Sequence, residues 1–190
     1  GITERTYYFM YGPVIEGEKC KLRPHTQKDA HLFIQMLADP VVNRYLVVQS
    51  PPSIRSELEW IEARGSDKQT LGWTIEVAGN CVGSIGFDAI DWQNGHATVG
   101  IFIGRPGLWG KGIATEAARL ALHHVFMTLP LRKVKAGYLA PNEASGRLQM
   151  NFGREVGRWH AEYWRNGQWV DHVLTELTRE EWVVAQLSSK

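Results

Sequence analysis

The residues most able to do chemistry by their spacing are Gly110, Lys111 and Gly112, inside Trp109-Gly110-Lys111-Gly112-Ile113-Ala114. An alternating apolar run, Ala97 to Ile103, precedes them and predicts a strand. Ala114, Ala117, Ala118, Ala121, Leu122 and Val125 follow at helical spacing. Two glycines at a strand-to-helix handover free backbone N–H groups and set them at the positive end of a helix dipole, which suits a phosphate. Lys111 lies between the glycines rather than after them, so the pattern is not a P-loop. Ala114 and Thr115 do not supply the last glycine of a dinucleotide fingerprint. A glycine-rich turn that only joins two elements is the competing reading.

Acid–base candidates are more scattered. Asp88, Asp91 and His96 fall on or near one predicted hairpin, and an imidazole titrates near pH ~6.5, the useful range for a base. His96 precedes Thr98 by two and shares its strand face if the strand reaches that far, although Asn94-Gly95-His96 also reads as a turn. His160 and His172 carry no positional argument. Asn142 with Ser145 three residues on reads as a helix start, the asparagine as cap.

These elements must hold the loop. Strands are predicted at about 19–24, 71–77, 81–90, 97–103, 133–139, 154–164 and 169–177. Helices are predicted at about 26–37, 41–45, 53–64, 111–128, 143–151 and 179–187, with Thr26 and Ser53 as caps and Gly65 as a stop. A tight turn is expected at Gly79-Asn80, and another at Arg165-Asn166-Gly167. Residues 1–13 are an aromatic-rich lead-in. The result is one α/β domain over 1–190.

The glycine loop resembles the pyrophosphate loop of the GCN5-related N-acetyltransferases (GNAT), Gln/Arg-x-x-Gly-x-Gly/Ala, with Trp109 in the first place. That variant is similar to the branch of ribosomal-protein N-terminal acetyltransferases. Gly17 to Pro24, Asp29, Gly83-Ser84-Ile85-Gly86-Phe87, Asn142-Glu143-Ala144-Ser145 and Gly167 to His172 resemble further ordered motifs of the family, so the likeness spans about Val14 to Trp182. It implies a mixed, mostly antiparallel sheet of about six or seven strands, splayed between the fourth and fifth and flanked by about four helices.

The resemblance also implies an acyl-CoA donor, acetyl-CoA first, and an amine acceptor. Trp109, Gly110, Lys111, Gly112, Ile113 and Ala114 would take the pyrophosphate. Backbone at Ile101, Phe102 and Ile103 would pair with the pantetheine amides, and Asn142 would bond that arm. Many relatives carry a strand glutamate as base where this chain has Thr98, and others a tyrosine acid where it has Gln149. Both departures leave Ser145 as the hydroxyl to protonate the leaving thiolate, with His96 and then Asp88 as base candidates. Tyr163 and Trp164, in an aromatic cluster with Trp159 and Trp169, could line an acceptor cleft.

Composition narrows the alternatives. The 190 residues are 44% hydrophobic and 22% charged, an ordinary balance for a globular chain. A net charge of +1 with no basic run gives no case for nucleic acid. No segment approaches the ~18 apolar residues of a spanning helix and no secretory pattern opens the chain, so no membrane and a cytoplasmic location are expected. Cys20 and Cys81 form neither a disulfide scaffold nor a metal cluster, and no metal is expected. Of the eight tryptophans, Trp60, Trp73 and Trp182 are expected in the core. The C-terminal strand edge and the aromatic N-terminus could support a homodimer.

Deprotonating a lysine amine (pKa ~10.4) at pH 7 costs about 4.6 kcal/mol, an α-amine (~7.8) about 1 kcal/mol. A site without an evident strong base therefore suits a peptide N-terminus or a small weakly basic amine. A longer acyl group, a non-catalytic acyl-CoA sensor, and a nucleotide-phosphate binder of another fold remain alternatives.

Overall fold

The computed structural model describes residues 11–47 and 49–189. Most of the aromatic lead-in, residues 1–10, lies outside them. Eight strands form one sheet among the described residues: β1 (Ile15–Glu16), β2 (Lys21–Arg23), β3 (Leu71–Val77), β4 (Asn80–Asp91), β5 (His96–Ile103), β6 (Lys133–Leu139), β7 (Arg154–Arg165) and β8 (Gln168–Thr178). The helices are α1 (Gln27–Ala38), α2 (Pro40–Asn43), α3 (Ile54–Arg64), α4 (Ile113–Thr128), α5 (Glu143–Phe152) and α6 (Arg179–Ser188). The spatial order is β1-β2-β3-β4-β5-β6-β8-β7, antiparallel except for β5 beside β6. This is the mixed, mostly antiparallel, splayed sheet that the resemblance implies, with one strand more than expected because the chain before β2 folds back as β1. Among the described residues there are six α-helices rather than about four, α2 and α6 being the two beyond that estimate.

Local chemistry explains most boundaries. Ser53 accepts from Ser56 N–H at 3.1 Å and starts α3. Asn166 and Gly167 both have positive φ, 51° and 79°, which gives the two-residue turn that pairs Arg165 with Gln168. The β3–β4 turn sits at Ala78-Gly79, one residue earlier than expected, because Val77 pairs with Asn80.

Two apolar clusters cover the two faces of the sheet. The larger joins β2–β6, α4 and α6 through Leu22, Trp73, Ile85, Ala117, Val125 and Trp182. The smaller seats α1 and α3 through Phe33, Met36 and Ile61, with Phe102 of β5 packed edge-on against Phe33 at 5.8 Å. Trp73 and Trp182 are buried as expected, but Trp60 is 39% exposed. Its ring lies at the edge of the core, 5.5 Å from buried His25 and covered by the Arg64 guanidinium at 4.7 Å.

A buried polar network pins α1 to the sheet. Asp29 accepts two bonds from Arg23 (2.8 and 2.9 Å) and one from the Thr74 hydroxyl (2.8 Å). A carboxylate paired in this way only accepts, so the Thr74 oxygen must accept from His25 Nδ1–H at 2.8 Å. That makes Nδ1 a protonated, donating nitrogen of the His25 ring. Burial first, and then the Arg64 cation, depress its pKa to about 4. The unfolded imidazole takes its proton near pH ~6.5, so this contribution to stability is full above that pH and is lost as pH falls toward about 4. Between pH ~7.5 and ~5 the loss should be about 2 kcal/mol in urea unfolding. A His25→Gln variant should show a flatter pH profile, and an unchanged profile would remove His25 as the cause.

Candidate active site

The site begins where two strands part. β5 and β6 pair only over His96–Thr98 with Lys133–Lys135. Beyond that β6 stays with β8 while β5 stays with β4. Gly104 N–H bonds Val82 O at 2.7 Å, and bonded pairs alternate in an antiparallel ladder. Phe102 therefore bonds β4, whereas the peptide groups of Val99, Ile101 and Ile103 point into the gap. Across it, Ala140 N–H bonds Asp171 O at 2.9 Å, so by the same alternation Gly137 and Leu139 turn their peptide groups toward β5. The expectation for Ile101 to Ile103 is thus corrected at Phe102, whose side chain goes to the α1 face. The Ile103 carbonyl already accepts Trp109 Nε1–H at 2.9 Å.

The glycine loop closes one mouth of the gap. Gly110 and Gly112 have φ of 76° and 81°, in the left-handed region that a Cβ disfavours. Gly112 is the N-terminal cap of α4, whose first N–H groups at Ile113, Ala114 and Thr115 lack intrahelical carbonyls. Lys19 brings a cation there: its Nζ donates to Lys111 O at 2.9 Å. Nothing local in the sequence marks Lys19. It is placed by Glu116, whose buried carboxylate accepts the N–H groups of Glu18, Lys19 and Cys20 at 3.1, 2.7 and 2.8 Å. Burial alone would raise the Glu116 pKa, but these N–H bonds hold it below the usual carboxylate range.

Two cavities fill the gap and share Tyr45, Leu46, Ile101, Asn142, Ser145 and Leu148 as walls. One reaches the glycine loop, and the other runs along β6 and β8 past Tyr138, Gln149 and His172. Ser145 stands where they meet. Asn142 caps α5, its side chain accepting Ser145 N–H at 3.2 Å. Gln149 bonds Ser145 Oγ at 3.2 Å.

Other expected residues are not brought to this junction. Asp88 is ion-paired with Arg64 (2.6 Å), because strand alternation puts it on the Gly86 face of β4, which the Arg64 guanidinium covers. His96 opposes Lys133 at the paired end of β5, with Nε2 3.7 Å from Asp91. Neither lines the two cavities. Tyr163 packs edge-on against His172 at 5.4 Å and so backs the wall. Trp164 instead stacks on Trp169 at the exposed tip of the β7–β8 hairpin, because alternation sends it to the opposite face. Tyr45 and Leu46, absent from the sequence expectations, reach the site because buried Arg165 donates to Leu46 O at 2.8 Å and Val47 O at 3.1 Å. That tie spans 119 residues, and no local pattern signals it.

Comparison with known proteins bears on the family and the fold. A family model described as an acetyltransferase (GNAT) domain matches residues 19–155. The uncharacterized N-acetyltransferase YoaA of Bacillus subtilis (strain 168) is 29% identical over 146 residues, covering 74% of this chain and 82% of its own. The ribosomal protein uS5-alanine N-acetyltransferase of Escherichia coli (strain K12) is 36% identical over 74 residues, 38% of each chain. The spermidine N-acetyltransferase of Vibrio cholerae, solved with CoA and spermine, superposes with a TM-score of 0.81 at 20% identity, over 88% of this chain and 99% of that one.

The Glu116 clamp should be measurable. Glu116→Ala leaves three N–H groups without their acceptor and should cost about 2 kcal/mol in urea unfolding. A loss below about 0.5 kcal/mol would mean that water replaces the carboxylate at no cost.

Proposed function

The chain belongs to the GNAT acetyltransferase family, and from that premise we propose that it transfers an acetyl group from acetyl-CoA directly to a primary amine in a ternary complex. The acceptor is a peptide N-terminus or a small metabolite. The observation that carries this reading is the gap between β5 and β6, with a left-handed glycine loop at one mouth and a hydroxyl at its centre.

The residues fit the donor. The N–H groups at the start of α4 and the Lys19 ammonium suit a diphosphate. The Ile101 peptide, facing the gap, can pair with a pantetheine amide as a further strand would. Asn142 borders the same path.

In the reaction the amine nitrogen forms a bond to the thioester carbonyl carbon and the carbon–sulfur bond breaks. The sulfur takes a proton from the Ser145 hydroxyl, and the amine proton leaves to water. No carboxylate stands at Thr98, and the Glu176 carboxylate on the cavity wall is held by Lys133 (3.1 Å) and Arg154 (2.7 Å). An acceptor that is largely neutral near pH 7 therefore fits better than a lysine side chain. The likeness to the uS5-alanine enzyme supports an α-amine, whereas the likeness to spermidine enzymes supports a polyamine. Both carboxylates among the described lining residues face cations, Glu176 as above and Glu143 with Arg147 at 3.8 Å, which favours the former.

Three measurements test the reading. Acetyl-CoA should raise Tm, and an amine panel should release free CoA thiol with a product heavier by one acetyl group; a heavier adduct would indicate a longer acyl donor. Gly112→Trp should abolish the Tm shift by filling the backbone approach, and retained affinity would refute the loop assignment. Ser145→Ala should lower kcat about tenfold to a thousandfold with acetyl-CoA affinity kept. An unchanged kcat would leave Ser145 only its place in the first turn of α5.

A further inference from the structure

We infer that Gln149 is the positioning residue for Ser145: it holds the serine oxygen as an acceptor so that the only hydroxyl proton is left for the sulfur of CoA. This inference rests on the transferase reading above and deepens it. The bonding pattern leaves little freedom. Gln149 Nε2 lies 2.9 Å from Gly137 O, and a carbonyl only accepts, so the nitrogen end of the amide must face it. The oxygen end then faces Thr175, which donates its hydroxyl proton to Oε1 at 2.8 Å. The second Nε2 hydrogen is directed at Ser145 Oγ, 3.2 Å away. Ser145 Oγ is thereby an acceptor toward Gln149, and its own proton is free to turn into the space where the two cavities meet.

The reason for a glutamine here lies in the sheet. If β5 and β6 had stayed paired in their starting register, Gly137 would lie opposite Gly100 and its carbonyl would be satisfied by that strand. The parting removes that donor, and Gln149 supplies one from α5. One amide therefore links β6, β8 and α5 and aims the serine. It cannot itself give up a proton at neutral pH, so it replaces a tyrosine acid without copying its chemistry. The proton transferred to sulfur comes from Ser145, and solvent restores it.

The decisive readout is the ionisation of the thiol of bound CoA, followed by the ultraviolet absorbance of the thiolate, which needs no acceptor. Wild type should hold the thiol pKa below that of free CoA, and Ser145→Ala should return it toward the free value. Gln149→Met, of similar volume, should move it in the same direction and lower kcat about tenfold, with KM for acetyl-CoA within about twofold. Thr175→Val, which removes the anchor of Oε1 at constant shape, should give a smaller shift of the same sign. In the Ser145→Ala background, Gln149→Met should cost nothing more, as expected of two residues acting as one unit. An equal loss in both backgrounds, or an unshifted thiol in Gln149→Met, overturns the proposal. A wild type that binds no CoA overturns the function and this inference together. A wild type that binds CoA but turns over no amine overturns the function alone, and the thiol titration still decides for or against Gln149.

Discussion

The parting of β5 from β6 is the constraint on which the rest depends. A sheet gains its stability by pairing every peptide group, and buried groups left unpaired are costly. Here the pairing stops after Thr98 and Lys135, although both strands continue. The peptide groups so released are partly reassigned within the chain. Trp109 takes the Ile103 carbonyl, Gln149 takes that of Gly137, and Asn142 N–H takes that of Leu139 at 2.8 Å. The Ile101 peptide still faces the opening. A site that binds an amide-rich arm through backbone requires this partial bonding.

Holding the strands apart requires ties across long stretches of sequence. Glu116 clamps the start of α4 to the chain leading into β2 and brings Lys19 to the glycine loop. Arg165 fastens the C-terminal hairpin to the segment after α2, which brings Tyr45 and Leu46 over the gap. On the far face, the Arg23–Asp29–Thr74–His25 network fixes α1 against β2 and β3. Glu116, Arg165 and Asp29 are buried, so removing the partner of any of them would leave a buried polar or charged group stranded.

The acid–base residues show how far types and spacing can be trusted. His96 and Asp88 have suitable chemistry and neighbouring positions, yet strand register and side-chain alternation direct them to Asp91 and Arg64. Gln149, which cannot be an acid, lies at the centre of the site because one turn of α5 brings it beneath Ser145. The difference is geometric. Residue type states what a group can do, while the direction of a side chain on a strand follows from pairing that the local sequence does not specify.

The elements and the glycine loop follow from local residue patterns. Apolar periodicity, caps at Ser53 and Asn142, and the Asn166-Gly167 turn act through contacts within a few residues, and they placed the seven longer strands and the helices to within about two residues. The left-handed glycines before α4 are legible for the same reason. Only the tertiary structure decided that Lys19 joins that loop, that Arg165 brings Tyr45 to the cleft, and that Gln149 rather than a strand satisfies Gly137. Those contacts connect residues from 12 to 119 positions apart, and their partners are selected by the folding of the sheet, not by any local propensity.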